Sequence, residues 1–203
     1  MLKRIVFALF FLVSNVYAQE KPIKIVEEKL PNRLALYAEN HSETDYDVKI
    51  TVSGKNIRQS SGKPRLMRIP SASKVLLKTL IVSRGKQPSY TYNLEINDSL
   101  SKRSLKRPSV PIKIKPKKRI LLYTTPNCTS CEAIVTGLEN SIYIFESSPI
   151  TEHPQLQERM KKALAGTKTP LDSIKTPIVN LAGRIFVEFD NFESLMEEVN
   201  KEK

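Results

Sequence analysis

Apolar and polar residues alternate along much of the first half of the chain. Every second residue is apolar from Tyr46 to Val52, and the same alternation runs from Tyr90 to Ile96. Successive side chains of a strand point to opposite faces, so a period of two is typical of a strand with one buried face. Three further apolar segments are predicted as strands: residues 34–38, 66–69 and 75–82.

The pattern changes after residue 117, where strand-like and helix-like segments alternate. Apolar runs predict strands at residues 120–123, 142–145, 178–181 and 184–189. Apolar periodicity predicts helices at residues 128–140, 152–165 and 191–200. Ala182 and Gly183 form a predicted hairpin turn, and Asp190 or Asn191 is placed to cap the last helix. The predicted order of elements is therefore β-α-β-α-β-β-α.

These two patterns predict two domains in a chain of 203 residues. Several short strands at regular spacing favour an all-β sandwich, immunoglobulin-like in the broad sense, at residues 19–98. The alternation of strands and helices favours an α/β domain at residues 117–203.

The first 18 residues have the features of a secretory signal peptide. Lys3 and Arg4 precede an unbroken apolar run at residues 5–13, and Ala18 ends a stretch suited to cleavage. Nine apolar residues are too few to span a bilayer, which disfavours a membrane anchor. We therefore expect an exported protein of the periplasm or cell envelope of a bacterium.

The net charge of +12 is concentrated between the two predicted domains. The stretch from Ser99 to Lys118 holds eight Lys or Arg residues, three prolines and no Asp or Glu. Residues 99–116 are predicted as an extended, solvated linker, whose end at Val110, Ile112 and Ile114 alternates like an edge strand. The alternative is docking to an anionic surface or an acidic partner. Nucleic acid is disfavoured, because no aromatic residues interleave with the charges.

The two cysteines, Cys128 and Cys131, lie three residues apart where a predicted strand meets a predicted helix. The unpaired N–H groups and the positive dipole end of a helix start favour thiolate over thiol, and the thiolate is the reactive species. A disulfide between them would close a loop of only a few residues and would stabilise the fold weakly. The pair is therefore interpreted as a redox couple rather than a structural bridge.

The cysteine pair after the first strand, the order of elements and the Thr176–Pro177 pair before the third strand together resemble the thioredoxin superfamily, most closely its glutaredoxin branch. The resemblance covers about residues 117–200. It implies that Pro177 is a cis-proline facing the disulfide and that Thr176 offers its backbone groups to an extended substrate chain. The pair between the cysteines, Thr129 and Ser130, differs from the pairs common in that superfamily.

The predicted function is an exported thiol-disulfide oxidoreductase. Cys128 is the expected attacking thiolate and Cys131 the resolving thiol, acting on protein or small thiol substrates with an unidentified redox partner. The hydroxyls of Thr129 and Ser130 would either tune the thiolate or simply cap the helix. No cofactor and no metal are expected, and the direction of electron flow and the oligomeric state stay open.

Two alternatives compete with this function. The first is a binding module that keeps the thioredoxin-like fold without catalysis. The second is a metal carrier, since a Cys-x-x-Cys pair binds soft cations. The second is disfavoured because His41 and His153 stand in separate segments and no further cysteine is available.

Overall fold

The computed structural model describes residues 21–60, 62–165 and 170–201, so the predicted signal peptide lies outside the described residues. The described chain is mostly β-structure, with three sheets and three α-helices. None of its described helices is long and apolar enough to cross a membrane.

The described residues up to 111 form two sheets that pack face to face. Their strands are β1 (Ile23–Leu30), β2 (Arg33–Asn40), β3 (Tyr46–Lys55), β4 (Ile57–Arg58), β5 (Met67–Ile69), β6 (Ser73–Val82), β7 (Ser89–Asn97), β8 (Leu105–Lys106) and β9 (Ser109–Pro111). One sheet has the order β1-β2-β6-β4, with β9 also paired to β6. The other has the order β7-β3-β5-β8. All pairs are antiparallel except β5 with β8.

Alternating apolar residues of the two sheets fill the space between them. Val48, Ile50 and Val52 of β3 are at most 4% exposed and share one core with Leu34 and Leu36 of β2. The predicted alternation in β3 is therefore confirmed. The apolar residues alternate because each sheet packs one of its two faces against the shared core.

The second half forms a four-stranded mixed sheet with helices. Its elements are β10 (Ile120–Thr124), α1 (Cys131–Asn140), β11 (Phe145–Pro149), α2 (Pro154–Leu164), β12 (Ile178–Leu181), β13 (Arg184–Phe186) and α3 (Phe192–Asn200). The strand order is β11-β10-β12-β13. The β10–β11 pair is parallel and is connected through α1, as a parallel pair requires a crossover. The remaining pairs are antiparallel, and the order of elements is the one that the sequence predicts.

Several predicted boundaries in this half shift. α1 begins at Cys131, three residues later than predicted. β11 begins at Phe145, because the residues before it pair instead with the basic segment. Of the two predicted caps of α3, Asn191 occupies the position, and its side chain accepts a 2.8 Å hydrogen bond from the Ser194 N–H. The β12–β13 turn has Ala182 and Gly183 at positive φ, as a two-residue hairpin turn requires.

The side chains of the basic segment 99–116 are mostly exposed, as a solvated linker would have them, but its backbone pairs with the sandwich. Its strand β8 pairs with β5 and β9 pairs with β6, so the expectation of edge pairing is confirmed for the end of the segment. The Ser101 N–H and the Ser104 hydroxyl donate to the carboxylate of Asp47, at 2.5 and 2.6 Å. Asp47 is fully buried and also binds Arg68, with Nε 2.6 Å from its Oδ1. This buried carboxylate fixes the segment, although its sequence is polar.

Four of the eight basic side chains between Ser99 and Lys118 bind groups of the protein itself. The bound groups are carbonyl oxygens of β6, carbonyl oxygens at the end of α1, the carboxylate of Glu43 and the carboxylate of Glu198. The side chains that bind them are Arg107, Lys113, Lys117 and Lys118, in that order. Much of the positive charge therefore serves to attach the two halves to the segment that joins them.

The two halves contact each other through this segment. The Ile112 N–H donates to the Ala72 carbonyl of the sandwich at 2.9 Å. Two residues later, Ile114 exchanges hydrogen bonds of 2.8 Å with Ile142 and Ile144 of the second half. Ile114 itself is 1% exposed. One short stretch of backbone thus joins both halves.

Candidate functional site

Cys128 and Cys131 form a disulfide at the junction of β10 and α1, with their Cα atoms 5.6 Å apart. Cys131 is the first residue of α1 and is 8% exposed. Cys128 lies in the preceding turn and is partly exposed. The two sulfurs therefore differ in accessibility, in the order that the sequence predicts.

The start of α1 leaves its first N–H groups without partners inside the helix. Ser130 occupies the N-cap position, but its side chain makes no capping hydrogen bond. The positive end of the helix dipole is therefore not offset by a capping oxygen of Ser130 where the cysteine pair lies. This electrostatic setting stabilises negative charge on a nearby sulfur.

Four hydrogen bonds hold the cysteine loop against the segment that precedes β12. The Thr129 N–H and hydroxyl both donate to the Lys175 carbonyl, at 2.8 and 3.2 Å. The Asn127 amide donates to the Asp172 carbonyl at 2.7 Å, and the Thr125 hydroxyl donates to a neighbouring carbonyl at 3.0 Å. The loop is thus fixed on both sides of Cys128.

The hydroxyls of Thr129 and Ser130 are both directed at carbonyl oxygens in this disulfide-bonded form. Thr129 donates to Lys175, and Ser130 lies 3.5 Å from the Phe189 carbonyl oxygen. Neither contact involves a sulfur, because the loop uses these hydroxyls to attach to neighbouring backbone. Tuning of a thiolate by these residues stays a prediction, and the alternative of side-chain capping by Ser130 does not hold in this structure.

Thr176 and Pro177 lie beside the cysteine loop. Pro177 is buried and directly precedes β12, where Ile178 pairs with Tyr123 of β10. No peptide bond among the described residues is cis, so the expected cis bond before Pro177 is absent and the bond is trans. A trans bond is the intrinsically favoured form for proline too, by roughly 0.5–1 kcal/mol. The expectation of a cis-proline at this position is wrong for this structure.

The side chain of Thr176 donates a 2.6 Å hydrogen bond to the Val187 carbonyl. In the described turns and loops, its own N–H and carbonyl take part in no backbone hydrogen bond. That these groups bind a substrate chain stays a prediction.

The histidines are engaged away from each other. His41 Nε2 lies 3.2 Å from a carboxylate oxygen of Glu39, and His153 Nε2 lies 2.8 Å from the Ser148 hydroxyl. Among the described residues, no group of three or more His, Cys, Asp or Glu side chains could hold a metal ion.

Sequence reasoning missed the contribution of Asn127 and of the Lys175 carbonyl to the site. Asn127 stands directly before Cys128 in the sequence, so an amide that could hydrogen-bond and hold the loop was visible there. Its partner Asp172 lies 45 residues away, and no pattern in a single sequence pairs the two.

Comparisons with protein-family models, with curated proteins and with solved structures found nothing that matches this chain.

Proposed function

We propose that this chain is an exported thiol-disulfide oxidoreductase, with an immunoglobulin-like sandwich followed by a thioredoxin-like domain. The observation that carries the proposal is the unequal exposure of the two sulfurs at a strand-to-helix junction: Cys131 is 8% exposed and Cys128 is partly exposed. An attacking thiolate must reach the substrate, whereas a resolving thiol needs to reach only its neighbour.

The reaction balances as a two-electron exchange. In the reduced protein, the Cys128 thiolate attacks one sulfur of a substrate disulfide, forms a mixed disulfide and releases the other substrate sulfur as a thiolate. The Cys131 thiolate then attacks the Cys128 sulfur, forms the Cys128–Cys131 disulfide and releases the second substrate thiolate. The substrate gains two electrons and its thiolates take up two protons. A dithiol reductant, the unidentified redox partner, would return the bridge to the reduced form, and the oxidising direction runs the same steps in reverse.

The surrounding residues supply position and charge. The hydrogen bonds from Thr129 and Asn127 hold Cys128 in place, and the uncapped start of α1 would favour negative charge most at Cys131, its first residue. Thr176, at the edge of the same loop, would pair its backbone N–H and carbonyl with an extended substrate chain.

Export to the periplasm or cell envelope rests on the sequence of residues 1–18 and belongs to the same proposal. Outside the cytosol, a cysteine pair can persist as a disulfide or act as a redox couple. The lysines and arginine at positions 102, 103, 106 and 115 are exposed, and they are the part of the basic segment left to meet an anionic surface.

The alternative of a non-catalytic binding module has one observation in its favour. Cys128 lies three residues before the helix rather than in its first turn, and the bond before Pro177 is trans. Both features differ from what the resemblance implies for a working site. Activity is therefore the property to measure first.

The two single cysteine variants form a matched pair, because each removes the disulfide and leaves one cysteine in the chain. We expect Cys128→Ser to abolish reduction of insulin disulfides by the chain in the presence of a dithiol reductant. Cys131→Ser should instead accumulate a mixed disulfide between Cys128 and the substrate, visible by mass spectrometry. Wild-type activity in Cys128→Ser would end the proposal.

Alkylation of the reduced chain separates the enzyme from the module. Iodoacetamide should modify Cys128 at least tenfold faster than Cys131, because Cys131 is 8% exposed. Equal and slow modification of both thiols, together with no insulin reduction, would favour the binding module.

A further inference from the structure

One side of the sandwich is open between two edge strands. β1 pairs only with β2, and β7 pairs only with β3, among the residues that the structure describes. The outer N–H and carbonyl groups of both strands are therefore available to another strand. We call the opening between β1 and β7 the seam.

Two cavities follow each other along the seam. The first, of about 600 Å³, is lined by Ile23 and Ile25 of β1 and by Tyr92 of β7. The second, of about 510 Å³, is lined by Glu27 and Lys29 of β1 and by Tyr90 of β7. Residues two apart on a strand share a face, so the two cavities lie on the same face of the same pair of strands. Together they run along about 20 Å of β1, the length of roughly six extended residues.

The seam carries exposed apolar surface and an unused polar group. Tyr92 is 45% exposed, and Ile144, which closes the end of the first cavity, is 48% exposed. The phenolic oxygen of Tyr90 is buried and no described group meets hydrogen-bond geometry with it, although the nearby carboxylate of Glu27 adds to burial in raising the pKa of Tyr90. A strand laid over the seam would cover the apolar side chains and could bind this hydroxyl.

The charge of the seam is strongly positive. No Asp or Glu lines the first cavity, whose basic residues include Lys21, Lys24 and Lys115. In the part of the chain that the structure describes, these three lysines make no ion pair. The second cavity adds Lys29, Arg33 and Lys86 against the single acid Glu27. This distribution is complementary to a ligand that carries several carboxylates.

The two edges are not equally suited to pairing. β1 carries four charged residues, which discourage the addition of a strand. β7 is nine residues long, and its one charged residue is Glu95. The Glu95 carboxylate lies 2.6 Å from Lys49 on the paired strand β3. β7 is therefore the edge that accepts a further strand.

We propose that the seam binds an extended, acidic segment of a partner protein, which adds to the free edge of β7 and directs alternate side chains into the two cavities. The backbone hydrogen bonds to β7 would supply affinity, and the lysines would select for acidic side chains. This site is separate from the cysteine pair and does not depend on its chemistry.

The test uses the disulfide-bonded chain and a nine-residue peptide of alternating valine and glutamate with blocked ends. Calorimetry should show binding of this peptide and at least tenfold weaker binding of the same peptide with lysine in place of glutamate. A third peptide, with alternate backbone nitrogens methylated, cannot donate along one edge and should also bind at least tenfold more weakly.

Paired substitutions localise the site. Lys24→Glu/Lys115→Glu should weaken binding of the glutamate peptide at least tenfold. Lys161→Glu/Lys162→Glu makes the same charge change at exposed positions at the end of α2, outside both cavities, and should leave binding unchanged. Equal loss in both double variants would overturn the assignment to the seam.

Three further results would overturn the proposal. One is equal binding of the lysine peptide, and another is equal binding of the methylated peptide. The third is occupation of the seam by something else: a dimer of this chain that the peptide dissociates, or anionic phosphatidylglycerol vesicles that the peptide displaces.

Discussion

Tyr143 of the second half donates a 2.9 Å hydrogen bond from its hydroxyl to Glu43 Oε1 of the sandwich. Tyr143 is 7% exposed, and it follows Ile142, one of the residues that pair with the basic segment. Burial, and then the hydrogen bond to Glu43, raise the pKa of Tyr143 to about 12. The bond is therefore a polar contact between two halves that the backbone at Ile114 also joins.

Tyr143→Phe should lower the free energy of unfolding by about 1 kcal/mol, because it removes the partly buried hydrogen bond to Glu43 and leaves the ring in place. The measurement is urea unfolding at pH 7. Glu43→Gln keeps an acceptor oxygen and is the matched control, with a smaller expected loss. A Tyr143→Phe chain as stable as the wild type would show that the contact does not hold the halves together.

The same residue makes stability depend on alkaline pH. The folded pKa of Tyr143 lies above the unfolded value of about 10, so its contribution is complete below pH 10 and is lost as the pH rises through about 12. Wild type should therefore lose more stability than Tyr143→Phe between pH 10 and 12. Parallel curves for the two chains over that range would contradict the expectation.

Asp47 is the buried charge on which the basic segment depends. Burial opposes its ionisation, but the hydrogen bonds from Arg68 and from the turn at 101–104 outweigh burial and lower the pKa of the carboxyl. Asp47→Asn should cost roughly 3 kcal/mol of unfolding free energy, because it leaves Arg68 without its partner charge. Asp98→Asn, at an exposed position, is the control and should change little.

The lowered pKa also sets the acid behaviour. The contribution of the Asp47 carboxylate to stability is present above the unfolded pKa of about 4 and is lost as the pH falls through the lower pKa of the folded state. Chemical unfolding measured from pH 6 to pH 2 should show a smaller acid loss in Asp47→Asn than in wild type. An identical loss of stability between pH 6 and pH 2 in the two chains would show that Asp47 does not contribute to the acid dependence.

Gly137 lets α1 approach α3 closely. A Cβ at this position would lie 2.6 Å from Cγ of Phe192, closer than carbon atoms pack. Gly137→Ala should therefore destabilise the fold by about 1–3 kcal/mol, despite the better helix propensity of alanine. Thermal unfolding measures the loss, and Gly137→Ala/Phe192→Leu should recover part of it. A stabilised Gly137→Ala chain would mean that the helices separate at no cost.

The local pattern predicted most of the elements in this chain. Alternation in β3 and β7, the hairpin turn at Ala182 and the cap at Asn191 all depend on residues adjacent in sequence. The position of the cysteine pair between a strand and a helix was likewise predictable, because both neighbours have strong local signals. The thiol chemistry and the export of the chain stay predictions.

Tertiary structure decided the rest, because it depends on which distant groups meet. Asp47 stands on the polar face of an alternating strand, yet it is fully buried since Arg68 and the turn at 101–104 close over it. The run of lysines and prolines at residues 99–116 stays mostly exposed, but its backbone and some of its cations pair with groups distant in the sequence, which no local pattern identifies. Alternation and capping thus determine each strand and helix. The group that each hydroxyl or cation binds is determined instead by acceptors far away in the sequence, whose hydrogen bonds outweigh contact with water.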